Sequence, residues 1–427
     1  MKRSAYATRF WRACGRAGAA VAGVCVLAAA LGLSSREPAR AQRSEAWQGP
    51  EVRALWVQRA SLTSPGTVDA MVDEARAAGF NTLIVQVRGR GDAYFAGGVE
   101  PRAAALGGQP LSFDPLARVL ALAHPAGLRV HIWVNVNLVA TATDLPSDPA
   151  HVVYRHPEWL MVPRALAGAL GREDPRSRGY VRALAEDAVA HADRVEGLYL
   201  SPVHEGSAAH AVAVVSDLVD RYDVDGVHFD YIRYPNTDFD YSRGTLEAFR
   251  RQVVGDLSGA ERARYDGRLA DEPTIYADAF PERWHEFRRT RLTSLVARLR
   301  EAITSRRPTA TVSAAVFPDA EDARLHRMQD WSQWIRIGLL DVLCPMAYTT
   351  DAALFRGQIA SVVAHAGGRP VWAGIGAYRL SSSETIENIL AARDTGARGV
   401  ILFSYDNLSA VPGRPRALAD IGRAAFD

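Results

Sequence analysis

From Glu51 onward the chain alternates short strand-like runs with helical patterns, and the alternation repeats eight times. The runs are 52–58, 82–88, 129–135, 226–232, 311–317, 340–346, 370–376 and 399–405. Strands that are apolar on both faces and separated by helices belong to a parallel sheet covered on both sides. Eight such units favour closure into a (β/α)8 TIM barrel over an open doubly wound sheet. Punctuation supports this reading: Gly79 stops a helix spanning about 67–78, and Asp114-Pro115 opens another that runs to about Pro125. The expected fold is therefore α/β, a single barrel over residues 51–427. Two stretches exceed what such a barrel needs, 138–205 after the third strand and 236–280 after the fourth. Both are expected as long loops, and loops in that position build the active face of a barrel.

The first 41 residues are expected to stand apart. Lys2, Arg3, Arg9, Arg12 and Arg16 precede an apolar run from Ala17 to Leu33, and Ala39-Arg40-Ala41 follows. This is the layout of a secretory signal peptide, so the chain is expected to be exported, to the periplasm or beyond, and to meet the membrane only if the leader stays uncleaved. Residues 1–41 carry seven basic side chains and one acid, a formal +6; the chain total of +2 leaves −4 for the rest. The basicity thus belongs to the leader, and no basic stripe suited to nucleic acid is evident beyond it. Cys14 and Cys25 would leave with the leader, so Cys344 has no partner for an intramolecular disulfide and stability must come from a large apolar core.

The fourth run carries the most pointed chemistry. In a pleated strand alternate side chains share a face, so His228 and Asp230 project together while Val227, Phe229 and Tyr231 point the other way. A carboxylate in so apolar a run needs a partner or a reaction. The other strand ends supply Trp56 and Gln58; Gln86, Arg88, Arg90, Asp92 and Tyr94; Trp133 and Asn135; Tyr231 and Arg233; Tyr348 and Asp351; and Tyr405 with Asp406. Sugars call for this mixture, because hydroxyls seek planar hydrogen-bond partners and pyranose faces stack on aromatic rings. No phosphate-binding loop, serine elbow or spaced histidine pair for a metal is evident, so neither metal nor cofactor is expected.

In order along the chain, Glu51-Val52-Arg53-Ala54-Leu55-Trp56-Val57, Gly79-Phe80-Asn81-Thr82, Gln86-Val87-Arg88 with Gly91-Asp92-Ala93-Tyr94, Phe113-Asp114-Pro115-Leu116, the Asp225–Pro235 run, Cys344-Pro345-Met346-Ala347-Tyr348 and Leu402-Phe403-Ser404-Tyr405 resemble the glycosyl-hydrolase-like family 10 of bacterial envelope proteins. The resemblance implies a (β/α)8 glycosidase, with cell-wall glycan, peptidoglycan strands among it, a favoured substrate in some members. Many relatives carry a second Asp directly after the one matching Asp230, where this chain has Tyr231.

Glycoside hydrolysis normally takes two carboxyl groups, one protonating the leaving oxygen and one acting as nucleophile or as base for water. Asp230 is the expected first group, with Asp92 and then Asp351 and Asp406 as candidates for the second. Substrate contacts are expected from Trp56, Gln86, Arg88, Arg90, Tyr94, Trp133, Asn135, His228, Tyr231, Arg233, Tyr348 and Tyr405. Two other readings stay open: a barrel that binds glycan without cleaving it, and a metal-dependent envelope deacetylase.

Overall fold

The computed structural model describes residues 49–409 and 417–426. The expected leader lies outside them.

Among the described residues ten strands form, in chain order β1 Val52–Val57, β2 Thr82–Arg88, β3 Arg129–Asn135, β4 Leu138–Thr141, β5 Gly197–Tyr199, β6 Gly226–Asp230, β7 Thr311–Val316, β8 Val342–Ala347, β9 Trp372–Ile375 and β10 Gly399–Phe403. Eight of them close a barrel in the order β1-β10-β9-β8-β7-β6-β3-β2, and every neighbouring pair is parallel. These eight are the runs read from the sequence, and the expected TIM barrel is the fold that forms.

The period-two alternation of each strand divides the core in two. Leu55, Val57, Leu83, Val85, Val130, Ile132, Val227 and Phe229 face outward into a layer shared with the surrounding helices. Val52, Ala54, Trp56, Ile84, Trp133, Cys344, Trp372 and Ile401 fill the barrel interior. Local signals fix the helices at the expected places. Ser64 caps Pro65–Ala77 through a reciprocal box with Thr67, and Asp114 caps Pro115–Ala123 by accepting the Ala117 N–H at 3.0 Å.

The two long stretches are not loops. Residues 138–205 hold the antiparallel pair β4 and β5, several short helical turns and the helix Arg178–Ala190, around their own apolar cluster of Val139, Val153, Leu160, Tyr180, Leu184 and Leu198. Residues 236–280 add the helices Arg243–Val253, Gly259–Asp266 and Ile275–Ala279, packed with Trp284 and Phe287. Once each segment carries enough apolar side chains to exclude water from its own backbone, folding it costs less than leaving it open. Asp240 ties the two together, since Oδ1 accepts the Val162 and Ser242 N–H groups, both at 2.9 Å, and Oδ2 accepts the Thr245 hydroxyl at 2.7 Å.

Candidate active site

A cavity of about 160 Å3 opens at the C-terminal end of the barrel. Its walls come from the ends of the strands: Trp56 on β1 with Gln58 and Arg59 beyond it, Gln86 on β2 with Arg90 beyond it, Trp133 on β3, Asp230 on β6 with Tyr231 and Arg233 beyond it, Ala315 on β7, Met346 on β8 with Tyr348 beyond it, and Phe403 on β10. A larger cleft of about 510 Å3 lies among the inserted segments, around Leu246, Arg250 and Tyr276. The smaller cavity is the one that gathers the strand ends, where barrel chemistry is positioned.

The aromatic wall is set by close packing inside the barrel. Trp56 meets Tyr348 edge-on with centroids 6.2 Å apart and Phe403 at 6.0 Å, and Trp133 meets Phe403 at 6.3 Å. Gly374 on β9 makes room for this, because a Cβ there would come within 2.8 Å of the Trp56 ring. Beneath the wall, the Trp56 indole N–H donates to His228 Nε2 at 3.1 Å, which leaves the imidazole proton on Nδ1, facing Ser313 Oγ at 3.0 Å. Burial pushes His228 down to about 3, so the ring is neutral. It shares the inward face with Asp230 as expected, but it is fully buried below the cavity and serves the wall instead of a ligand.

Asp230 ends β6 with its side chain 10% exposed. Burial raises its proton affinity above the ordinary carboxylate range, opposed by Arg233, whose Nη1 lies 3.3 Å from Oδ1, and by the Tyr231 N–H, which donates to the same oxygen at 2.7 Å. Tyr231 reaches that bond with φ at +50°, a left-handed conformation that a bulky residue adopts only where its surroundings enforce it. Nearby, burial and the Asp230 charge drive the Tyr348 phenol well above its ordinary range, so it remains a neutral hydroxyl.

Arg233 is itself buried, with its guanidinium 4.1 Å above the Tyr231 ring and 5.3 Å from that of Phe317. Its Nη2 reaches Glu196 Oε1 at 3.2 Å, and the Tyr199 hydroxyl donates to Glu196 Oε2 at 2.6 Å. Burial works against the Glu196 charge, yet Arg233 and Tyr199 outweigh it and hold this carboxyl below its ordinary range. Sequence reasoning missed Glu196. It lies just before β5 inside a stretch read as loop, and only the antiparallel pairing of β5 with β4 brings it to the barrel mouth. Arg59 and Phe403 were also missed; both sit at strand ends whose apolar pattern gave no chemical signal.

Of the residues expected at the site, Asp230, Trp56, Gln86, Arg90, Trp133, Tyr231, Arg233 and Tyr348 line the cavity. The others do different work. Arg88 is 1% exposed and bidentate to Glu100, with Nε and Nη2 each 2.6 Å from a carboxylate oxygen, and it also donates to the carbonyls of Asn135 and Val136. A register irregularity between Gln86 and Arg88 accompanies this departure from the alternation. Asn135 is fully buried, accepting the Trp133 indole N–H at 2.8 Å and donating to the Gly89 carbonyl at 2.7 Å, so it orients the wall. Asp92 accepts the Arg90 N–H at 2.8 Å and shapes the loop, while Tyr94 packs into the outer core. That loop turns tightly at Gly91, where φ is +69° and a Cβ would meet His151 at 2.8 Å. Asp351 caps the helix Ala352–His365 by accepting the N–H groups of Ala353 and Leu354. β10 ends at Phe403, so Tyr405 leaves the inward face and its hydroxyl donates to Glu74 on an outer helix at 3.0 Å. Among the described residues, no group of three or more His, Cys, Asp or Glu is disposed to hold a metal ion.

Comparison with known proteins bears on the family and the fold. Over 320 residues the chain is 25% identical to the glycosyl hydrolase DigH of Escherichia coli K12, a match covering 68% of this chain and 59% of that one. The glycosyl hydrolase YngK of Bacillus subtilis is 25% identical over 170 residues, 39% of this chain and 27% of its own. The chain therefore matches little more than half the length of DigH. Among solved structures, the PgaB (BpsB) glycoside hydrolase domain from Bordetella bronchiseptica superposes with a TM-score of 0.59 at 15% identity, covering 87% of this chain and 99% of that domain. A GH42 β-galactosidase from G. stearothermophilus gives 0.55 at 13% identity over 88% and 57%. Both show the shared barrel fold. The family model described as glycosyl hydrolase-like 10 matches residues 51–368, and the chain belongs to that family.

Proposed function

We propose that this chain is a glycosidase that cleaves an extracytoplasmic glycan, cell-wall glycan strands being the preferred substrate, with Asp230 as its general acid. The observation that carries the reading is a buried carboxyl of raised proton affinity beneath a cavity of Trp56, Trp133, Tyr348 and Phe403. A carboxyl whose hold on its proton is strengthened by burial can hand that proton to a glycosidic oxygen as the bond to the anomeric carbon breaks. Water then adds to that carbon and releases a proton, which restores the balance. The aromatic rings offer stacking faces for pyranoses, and Gln58, Gln86 and Arg90 offer hydrogen bonds to hydroxyls. The basic head and apolar run at the N-terminus support export as the route to such a substrate.

The non-cleaving reading is favoured by one observation: among the described residues, Asp230 is the single carboxylate in the cavity lining. Incubation of the purified protein with peptidoglycan-derived glycan strands, with and without chelator, separates the readings. New reducing ends that form regardless of chelator support the glycosidase. Chelator-sensitive release of acetate, or binding with no product, defeats it.

A further inference from the structure

We infer that Glu196 is a positioning residue for Asp230, acting through the one guanidinium that the two carboxylates share. Arg233 gives Nη1 to Asp230 and Nη2 to Glu196, at 3.3 and 3.2 Å. The guanidinium lies 4.1 Å from the Tyr231 ring centroid and 5.3 Å from that of Phe317, a packing that favours one position serving both acids. The two acids differ in solvation: the Asp230 side chain is 10% exposed and that of Glu196 is 40% exposed. The better-solvated carboxylate ionises first and draws on the shared cation, and its negative charge also repels a second one nearby. Glu196 therefore adds to the effect of burial in favouring the protonated form of Asp230, the state a general acid needs.

The other charged and titratable groups around Asp230 come from several elements. Tyr348 follows β8, Tyr199 belongs to β5, and Arg59 and Arg90 line the cavity from β1 and β2. Arg233 favours ionised Asp230, and the buried phenols stay neutral. That leaves Glu196 as the nearby anion that supports the protonated form.

The inference rests on the glycosidase reading only for its effect on turnover, because the titration of Asp230 can be followed directly. In the full chain with 13C-labelled aspartate, the Asp230 carboxyl signal is assigned by its loss in Asp230→Asn, and its midpoint is compared between parent and variants. Glu196→Gln should move the midpoint down by about one pH unit, the scale of a single nearby charge. Glu196→Asp, which keeps the charge, should move it less. Both variants should melt close to the parent temperature, since the side chain is partly solvated. In turnover, the alkaline limb of the pH profile should shift in the same direction. A midpoint unmoved in Glu196→Gln overturns the inference even if the enzyme is active. A shifted midpoint in a protein that cleaves no glycan upholds it and removes the glycosidase reading instead.

Discussion

Two buried arginine–carboxylate pairs stand at the C-terminal end of this barrel, and they are built to opposite ends. Arg88 and Glu100 are 1% and 2% exposed, joined by two bonds of 2.6 Å, with His210 Nε2 adding a third contact to Glu100 at 2.9 Å. Burial alone would raise Glu100, but Arg88 and His210 outweigh it and hold it down at about 2. Arg233 and Asp230 meet through a single 3.3 Å contact, the guanidinium is divided with Glu196, and the carboxyl ends above its ordinary range. Both sites pay for desolvation. In the first the cation and histidine outweigh that cost and the carboxyl ends below its ordinary range; in the second burial outweighs the shared cation and the carboxyl ends above it.

Asp230→Asn breaks the comparison most directly. The amide is nearly isosteric and can still hydrogen-bond, but it cannot donate a proton to a leaving group, so turnover should fall by roughly three orders of magnitude or more while glycan binding survives. Reducing-end assays with parallel binding isotherms check this. Near-normal hydrolysis would make Asp230 another structural acid like Glu100.

Arg88→Ala should act on the fold. Leaving Glu100 buried without its cation is expected to cost about 3–5 kcal/mol of stability by denaturant titration. The same pair gives a pH signature. Because the Glu100 value in the folded chain is depressed below its ordinary 4.5, its contribution is fully present above that value and is lost as pH falls toward about 2. The parent should therefore lose its stability advantage over Glu100→Gln across that window. An advantage already lost near 4.5, the ordinary value, would mean the pair is less tightly coupled than its geometry indicates.

Trp133→Ala tests the wall between the two pairs. Losing the ring should weaken glycan binding by roughly 1–3 kcal/mol through lost stacking area, with slower but measurable turnover. Equal affinity would place the sugar away from β3.

The contrast also explains what could be read from the sequence. The eight strands were legible because each is buried on both faces and its apolar pattern is a direct record of that burial. Asp230 was legible because it interrupts such a pattern on a face that alternation assigns. Glu196 was not, because its position depends on β4 pairing with β5 across more than fifty intervening residues, and no local periodicity encodes that contact. Arg88 shows the converse. Alternation placed it with Gln86, and its partner Glu100 lies in an irregular loop whose path no pattern specifies. Charged residues at strand ends can thus be located from sequence more readily than they can be assigned a partner.

Asp351 offers the smallest and most discriminating test, since its position just past β8 gives it the appearance of a catalytic acid. Its Oδ1 accepts the N–H groups of Ala353 and Leu354 at 2.8 and 3.0 Å, and its own N–H donates to Thr349 Oγ1 at 3.0 Å. These are the bonds of a helix cap, satisfying donors that the first turn cannot pair internally. The side chain is absent from the cavity lining and lies on an exposed residue. Asp351→Ala should therefore lower stability by about 1 kcal/mol, the usual worth of a cap, and leave turnover of glycan within about twofold of the parent. Asp351→Asn, which retains the cap, should recover most of that loss. A collapse of activity in both variants without loss of fold would mean that Asp351 reaches the substrate, and the catalytic pairing would have to be redrawn between β6 and β8.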